Sequence, residues 1–375
     1  MFLKSLHLTN YRNYSSLELN FDNRPTVLVG NNAAGKSNIL EAIYLLSTTK
    51  SLRAEAEMEL IKQEQEAALV NGLIETQNNE TKLEIILQKI EDKASKRVKV
   101  NGIPRRVVDF IGHLPAVIFY PSDINMVTGP PSLRRWHLDL GLAQIDPTYK
   151  KALTVYEQFL TARNRVLKRI REGQGKKDEL DYWTEGLLDQ GKVISEKRKE
   201  FFEFINTLDK PLGQFRFEYI PSEVTIEKLA QTNGREVAAA ATLIGPHRDD
   251  FRVILANGVS TESSMEDSGA VRQRRTPQNN KDRDLAKFGS RGEQRTGTLA
   301  FKLAQLEYMA FKLGQRPILL LDDVFSELDA NHRAYVVEIV GKQQTIIATV
   351  ELENIPQTFL DSARILTVEN GRITF

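Results

Sequence analysis

Residues 30–37 read Gly30-Asn31-Asn32-Ala33-Ala34-Gly35-Lys36-Ser37, a match to G-x-x-x-x-G-K-[ST], the phosphate-binding loop. The run before it, Thr26-Val27-Leu28-Val29, is short, apolar and β-branched, as a buried strand is. After it Ile39, Leu40, Ile43 and Leu46 recur at helical spacing. The octapeptide therefore joins a strand to the start of a helix, which is the context its chemistry requires. Gly30 and Gly35 permit backbone angles that turn several N–H groups toward one anion. The helix start adds unpaired amides and the positive end of its dipole. Asn31, Asn32, Ala33, Ala34 and Asn38 belong to the same cradle. Lys36 then reaches the β- and γ-phosphates of a nucleotide, and Ser37 offers its hydroxyl to Mg2+.

The rest of the chain bounds this reading. At 375 residues it exceeds one typical core, so two or three packed regions are expected. With 51 basic and 50 acidic residues, any nucleic-acid partner must be held by local patches rather than by global charge. No cysteine is present, which excludes disulfides, thiolate zinc sites and a cysteine nucleophile; five scattered histidines argue against a histidine-built metal centre. The start, Met1-Phe2-Leu3-Lys4, has no secretory apolar core, and no run approaches the roughly 18 apolar residues of a membrane span. A soluble cytoplasmic protein is expected.

Along the chain, residues 1–21 alternate in two blocks, Leu6/Leu8 and Leu17/Leu19/Phe21, predicting paired strands ahead of the phosphate loop. Alternation returns at Leu83, Ile85 and Leu87 and at Val98 and Val100, with a hairpin signal at Asn101-Gly102. Together these predict an antiparallel β layer in an N-terminal part of residues 1–130.

The middle, residues 131–215, changes to a helical pattern. Asp146-Pro147 supplies an N-cap and a first-turn proline. Tyr149, Leu153, Tyr156, Leu160, Leu167 and Ile170 follow at alternating steps of four and three, broken only at Arg163, and beyond a polar turn Leu180, Leu187, Ile194, Phe201 and Leu208 recur every seven residues. The pattern fits an antiparallel helical hairpin, either an arm of at most about 45 Å or two helices packed on a globular lobe.

A third part, residues 216–375, is strongly α/β: a helix over 296–312, a buried strand over 318–321, a helix from about Asp329, a strand over 345–350 and a hairpin at Asn370-Gly371. Residues 259–284, rich in Ser, Glu, Gln, Asn and Arg, read as a mobile surface insertion.

Pro317-Ile318-Leu319-Leu320-Leu321-Asp322-Asp323 is an apolar strand ending in two acids. In an open α/β sheet it carries Asp322 to the ligand-binding edge, where it can orient Mg2+ or its waters, and lets Asp323 act as general base or water-positioning group beside Lys36. Ser326-Glu327-Leu328-Asp329 follows directly. Separately, Ser290-Arg291-Gly292-Glu293-Gln294 opens an amphipathic helix carrying Leu299, Leu303 and Leu306 and forms a second anion site. One subunit cannot readily use two such sites on one nucleotide, whereas a head-to-tail pair can, so the arrangement points to ATP sandwiched in a homodimer.

This composite resembles the ATP-binding-cassette ATPases of the structural-maintenance-of-chromosomes (SMC) type, and within them the RecF family of DNA replication and repair proteins. The segments that carry the likeness span nearly the whole chain: Leu8-Thr9-Asn10-Tyr11-Arg12-Asn13-Tyr14, Phe119-Tyr120-Pro121-Ser122-Asp123, Gly129-Pro130-Pro131-Ser132-Leu133-Arg134-Arg135 with Asp139, Gly245-Pro246-His247-Arg248-Asp249-Asp250, and the stretch 320–329. The resemblance implies an ABC-type P-loop ATPase head with an antiparallel β layer and a helical arm or lobe inserted in the middle. It implies that Ser290, Gly292 and Glu293 form the signature meeting the partner's γ-phosphate, that Ser326 and Asp329 communicate across the dimer, and that Arg12 contacts nucleotide. It also implies RecR and RecO as partners and loading of RecA at stalled forks. Three features depart from the pattern. The signature reads Ser290-Arg291-Gly292-Glu293-Gln294 where the family usually reads Ser-Gln-Gly-Gln-Gln, and an acid at 293 would weaken closure. Asp323 replaces the glutamate of transporters, consistent with slow hydrolysis. Thr349 stands where transporters carry histidine. No glutamine-loop match is found.

Basic clusters at Lys50 and Arg53, Lys96-Arg97, Arg105-Arg106, Arg134-Arg135 and the stretch 163–171 are candidates for sequence-independent, salt-sensitive contacts to DNA, such as single-strand/double-strand junctions. No zinc-finger or helix-turn-helix signature indicates base readout. The favoured expectation is an ATP-gated DNA clamp with weak, DNA-dependent ATPase activity. A P-loop small-molecule kinase is the alternative; it needs a monomeric acceptor site and has no use for the Ser290 turn. A transport motor subunit requires a membrane partner, for which nothing speaks.

Overall fold

The computed structural model describes residues 1–76, 79–256 and 282–374. Thr26–Val29 lies inside a six-stranded sheet with the order Arg372–Thr374, Arg364–Glu369, Thr26–Val29, Thr345–Thr349, Ile318–Asp322, Ala116–Phe119. Every neighbouring pair is parallel except the C-terminal hairpin. Ile318–Asp322 and Thr345–Thr349 are buried along their whole length. That is the pattern of a sheet covered on both faces, where strands read as continuous apolar runs.

The two faces feed two different cores, as the period of two requires. Val27, Leu319, Leu321 and Ile347 pack with Leu299 and Leu306 of the helix Arg291–Leu313. Their neighbours Leu28, Leu320, Ile346 and Ala348 pack with Ile39, Leu40 and Ile43 of the helix Lys36–Thr48.

The second core is closed by the β layer, an antiparallel sheet ordered Tyr14–Asn20, Phe2–Tyr11, Ala67–Glu75, Glu80–Ile90, Lys93–Val100, Ile103–Arg105. Leu83, Ile85 and Leu87 point inward, fully buried, as their alternation predicts. Asn101 and Gly102, at φ 52° and 77°, make the left-handed turn expected of them.

Pro147–Arg171 and Asp181–Thr207 form the helical hairpin, and Asp146 caps the first by accepting from Tyr149 N at 2.9 Å. The structure combines both expectations for it. Its base, including Tyr149, Tyr156, Leu187, Ile194 and Phe201, lies in the main core, while Val166, Leu167 and Leu180 near the tip form a small cluster of their own. The helical lobe also continues past the expected boundary at 215. Ile226–Ala239 packs on the hairpin, with Arg163 Nη2 donating to Glu236 Oε2 at 2.7 Å, both buried. In sequence the strand Phe215–Ile220 lies between the two; it belongs to a small sheet in which it pairs with Asp250–Leu255 and the latter with Arg283–Asp284.

The hairpin is fastened to the head through Arg198, which is 1% exposed. It donates to Asp139 Oδ1 and Asp249 Oδ2, both at 2.7 Å, to Tyr149 Oη and to the Pro246 carbonyl. A desolvated guanidinium is stable there because its donors find partners on three elements. Of the expected insertion at 259–284, residues 259–281 lie outside the described residues. Among the described residues no helix is long and apolar enough to cross a membrane.

Candidate nucleotide-binding site

The phosphate loop leaves the sheet at Gly30 and enters its helix at Gly35, with φ 158° and 118°. A Cβ on Gly30 would lie 2.2 Å from the Val368 carbonyl oxygen, and one on Gly35 2.6 Å from both Asn13 Nδ2 and Tyr14 Oη. Glycine is needed at both for space as well as for backbone angle. Gly35 is the N-cap of Lys36–Thr48, and no side chain caps it. The first-turn amides therefore face the loop's own cavity, a ready anion site.

Lys36 spans the loop, its Nζ donating to the carbonyls of Gly30 at 2.7 Å and Asn31 at 2.9 Å. Burial pulls its ammonium below the usual lysine range, against the attraction of Asp322 and Asp323. Ser37 Oγ donates to Asp322 Oδ1 at 2.9 Å, so two residues remote in sequence meet at one point. Burial pushes the Asp322 carboxyl up, while the Ser37 hydrogen bond and the Arg53 charge act the other way. A hydroxyl and a carboxylate converging beside a phosphate cradle are hard oxygen donors of the kind Mg2+ takes, with phosphate and water completing its shell. Among the described residues no group of three or more His, Cys, Asp or Glu forms a separate all-protein metal centre.

Asp323 follows at φ 49°, its N–H donating to the Ala348 carbonyl at 2.8 Å. This left-handed residue turns the chain out of the sheet just after the acid that closes the strand. Ser326 Oγ bonds back to the Asp323 carbonyl at 2.8 Å, and Asp329 caps the helix Ala330–Val340 by accepting from His332 N at 3.0 Å. The Thr349 hydroxyl is directed to the Glu351 carbonyl.

The Ser290 turn is a separate construction. Ser290 Oγ accepts from Glu293 N at 3.2 Å, and Glu293 Oε2 accepts from Ser290 N at 2.7 Å, a reciprocal cap. Arg283 Nη2 donates to the other carboxylate oxygen at 2.7 Å. The hydrogen bond from the Ser290 amide is the leading cause holding the Glu293 carboxyl below the usual range. The acid at 293 is thus occupied within its own chain, by a cap and by Arg283. Gly292 has open space where a side chain would stand.

Other expected residues fall differently. Arg12 is held by Glu41 of the loop's helix, with Nε and Nη2 donating at 2.9 and 2.7 Å. Arg53, grouped by sequence with Lys50 as a DNA contact, instead reaches the nucleotide site, donating to Asn38 Oδ1 at 2.9 Å. Arg134 is bound to Asp250 and to the Gly129 carbonyl, and Arg135 to the Asp249 carbonyl. Arg163 is buried on Glu236, and Lys96, partly exposed, is held by Glu57 and the Thr49 carbonyl. Arg134, Arg163 and Lys96 are thus paired with acids that runs of basic residues do not reveal, Arg135 is turned to a carbonyl, and Arg53, held by an amide oxygen, stays exposed. Arg106 is exposed but paired with Asp109, whereas Lys50 and Arg105 are exposed.

Asn13 was quoted in the opening motif without a role. Its Nδ2 donates to the Ala34 carbonyl at 3.1 Å and its Oδ1 accepts from Asn38 Nδ2 at 2.8 Å, bracing the loop from the β layer. Gly371 N, in the last hairpin, donates to the same Ala34 carbonyl at 3.1 Å. The sequence signal for Asn13 is only its place beside Arg12, and for Gly371 only the hairpin turn, which says nothing of the phosphate loop.

Comparison with known proteins agrees with this geometry over the whole chain. The family model "RecF/RecN/SMC N terminal domain" matches residues 2–374. Proteins named DNA replication and repair protein RecF, from Bacillus cereus (strain G9842) and Bacillus thuringiensis (strain Al Hakam), are 33% identical over 398 aligned positions, covering 100% of this chain and 98% of theirs. Two solved structures of the recombination mediator protein RecF in the RecFOR pathway, described as RecF-ATPrS and RecF-ATP, superpose with TM-score 0.81 at 28% identity. They cover 99% and 100% of this chain and 97% and 98% of their own. An SMC head bound to the C-terminal winged-helix domain of ScpA shares the fold, with TM-score 0.54 at 15% identity over 100% of this chain and 97% of that one. With the loop, the acidic strand and the capped serine turn all carried on an SMC-type head, the chain belongs to the RecF/RecN/SMC family and, within it, to RecF.

Proposed function

We propose that the chain is an ATP-gated DNA clamp of recombinational repair and replication restart. Two copies close head to tail over ATP and Mg2+, hold DNA at single-strand/double-strand junctions or gaps without reading its sequence, assist recombinase loading, and release it after slow hydrolysis. RecR and RecO are the partners suggested by the pathway named for the solved relatives.

The observation that supports the reading is the presence in one chain of two separate helix-start constructions, the phosphate loop and the Ser290 turn. The phosphate loop is braced by Asn13, Asn38 and Asp322, and the Ser290 turn by Glu293 and Arg283; the two sets share no residue. The relatives solved as RecF-ATP and RecF-ATPrS make ATP the nucleotide of choice.

In this scheme the loop amides and Lys36 bind the triphosphate, and Ser37 and Asp322 hold Mg2+. The metal supplies charge neutralisation between the β- and γ-phosphates. Asp323 holds the attacking water and accepts its proton, and its short side chain keeps the step slow. Arg53 sits where it links the nucleotide edge to the exposed Lys50 beside it. The second copy's signature supplies the donors that one chain lacks. For DNA, the available cations are Lys50, Arg105 and the exposed Arg165, Lys168 and Arg171 of the hairpin.

Light scattering with and without a slowly hydrolysed ATP analogue, paired with a titration of gapped, single-stranded and duplex DNA, tests the proposal. Nucleotide-dependent doubling of mass with tighter DNA binding supports it; a monomer with unchanged DNA affinity refutes it.

A further inference from the structure

Away from the nucleotide, three titratable side chains meet in the core. Lys302, on the signature helix Arg291–Leu313, is 3% exposed; Asp123 is 3% and His137 6% exposed. Lys302 Nζ lies 3.5 Å from Asp123 Oδ2 and 3.4 Å from His137 Nδ1. Asp123 Oδ2 also accepts from Tyr120 N at 3.0 Å. Burial and the Lys302 charge hold His137 well below the usual histidine range, leaving it a neutral acceptor.

The three come from three elements. Asp123 is in the turn that ends the edge strand Ala116–Phe119, which pairs directly with the strand of Asp322. His137 is on the helix Pro131–Ala143, whose Arg134 and Asp139 bind Asp250 and Arg198. One turn further, the same two helices touch again at Gly141, where a Cβ would lie 1.6 Å from Gln305 Nε2.

Apolar packing of Leu299, Phe301, Leu303 and Leu306 holds the signature helix against the sheet, and the buried polar contacts add a directional constraint to it. A buried charge cannot leave its partner freely, because each would then be desolvated and unpaired. Ser290 lies about 18 Å along the helix from Lys302, so a small rotation at the joint moves the turn appreciably.

We propose that Asp123, Lys302 and His137, with the Gly141–Gln305 contact, form a positioning joint that fixes the angle at which the signature helix presents Ser290 to the second copy. The inference rests on the head-to-tail reading above. It assigns these residues no contact with nucleotide, so ATP binding within one chain is untouched while assembly depends on them.

The test is the double variant Asp123→Asn/Lys302→Met, which removes both charges together and strands neither. With the full chain and a slowly hydrolysed ATP analogue, nucleotide affinity is expected to stay within about twofold of wild type while dimer affinity falls on the order of tenfold or more, the consequence of a misplaced contact group. Should that variant melt before it can be assayed, Gly141→Ala keeps both charges, displaces Gln305 and carries the same expectation. Dimerisation equal to wild type in a folded variant, or equal losses of nucleotide and dimer affinity, overturns the joint. A wild-type chain that stays monomeric with nucleotide overturns the head-to-tail reading itself, a distinguishable result.

Discussion

Replacing Gly35 with alanine puts one methyl group into the tightest point of the site. The new Cβ would stand 2.6 Å from both Asn13 Nδ2 and Tyr14 Oη, closer than any real Cβ contact, at a φ of 118°. The backbone angle alone costs about 1–3 kcal/mol for a residue with a side chain. Asn13 cannot retreat without releasing the Ala34 carbonyl and Asn38, which forfeits about 1 kcal/mol for each hydrogen bond. The total is about 3–5 kcal/mol, divided between fold and ligand. If the loop stays strained, the loss appears as stability. If it relaxes, the bound shape must be restored on binding and ATP affinity falls, tenfold for each 1.4 kcal/mol. Calorimetric melting together with ATP titration measures both parts. Gly102→Ala is the control: φ is 77°, but nothing lies within 4 Å of its Cβ and it is remote from the loop, so it lowers stability slightly and leaves ATP affinity alone. A Gly35→Ala protein that melts and binds ATP like wild type would refute the account of the loop.

Asp322→Asn keeps a hydrogen-bond acceptor for Ser37 but removes the charge; hydrolysis is expected to drop by about 10²-fold or more, and nucleotide binding to lose its response to Mg2+, as followed by a fluorescent ATP analogue. Asn13→Ala removes both bonds bracing the loop and is expected to weaken ATP binding about tenfold with little change in melting. His247, half-buried against Tyr156 with its Nδ1 at 2.7 Å from the hydroxyl, has its pKa lowered by desolvation from 6.5 to about 4. Above pH 6.5 the histidine is neutral both folded and unfolded; as pH falls toward 4 only the unfolded chain takes up the proton, so stability is lost across that window, by at most about 3 kcal/mol. Urea midpoints at about pH 7 and about pH 4.5 should differ, and His247→Gln should reduce the difference.

How much of this was legible in the sequence follows from range. The phosphate loop, the cap at Asp146, the Asn101-Gly102 turn and the alternation of Leu83, Ile85 and Leu87 are local, and each appears where its spacing places it, whereas the helix expected from 296 begins at Arg291, capped by Ser290. Asp322 was legible because a strand buried on both faces has one place to put a terminal acid. The basic clusters misled because charge is visible in sequence and its neutralisation is not: Asp250 is 116 residues from Arg134, and Glu236 is 73 from Arg163. The joint of Asp123, His137 and Lys302 was hidden for the same reason, each residue being unremarkable alone. The extension of the helical lobe to residue 239 was missed because the strand at Phe215–Ile220 interrupts it in sequence but not in space.

Mixing two defective copies tests the shared nucleotide pocket most directly. Lys36→Met removes the loop's cation but keeps the Ser290 turn; Ser290→Arg keeps ATP binding but spoils the turn. Each is expected to remain monomeric with a slowly hydrolysed ATP analogue in sedimentation velocity, since a pair of either variant has no complete pocket. Together they should form a heterodimer carrying one nucleotide, held by the Ser290→Arg copy and closed by the other's serine. If the wild type dimerises with the analogue but the mixture does not, or if Ser290→Arg alone dimerises as well as wild type, the pocket is not shared between copies.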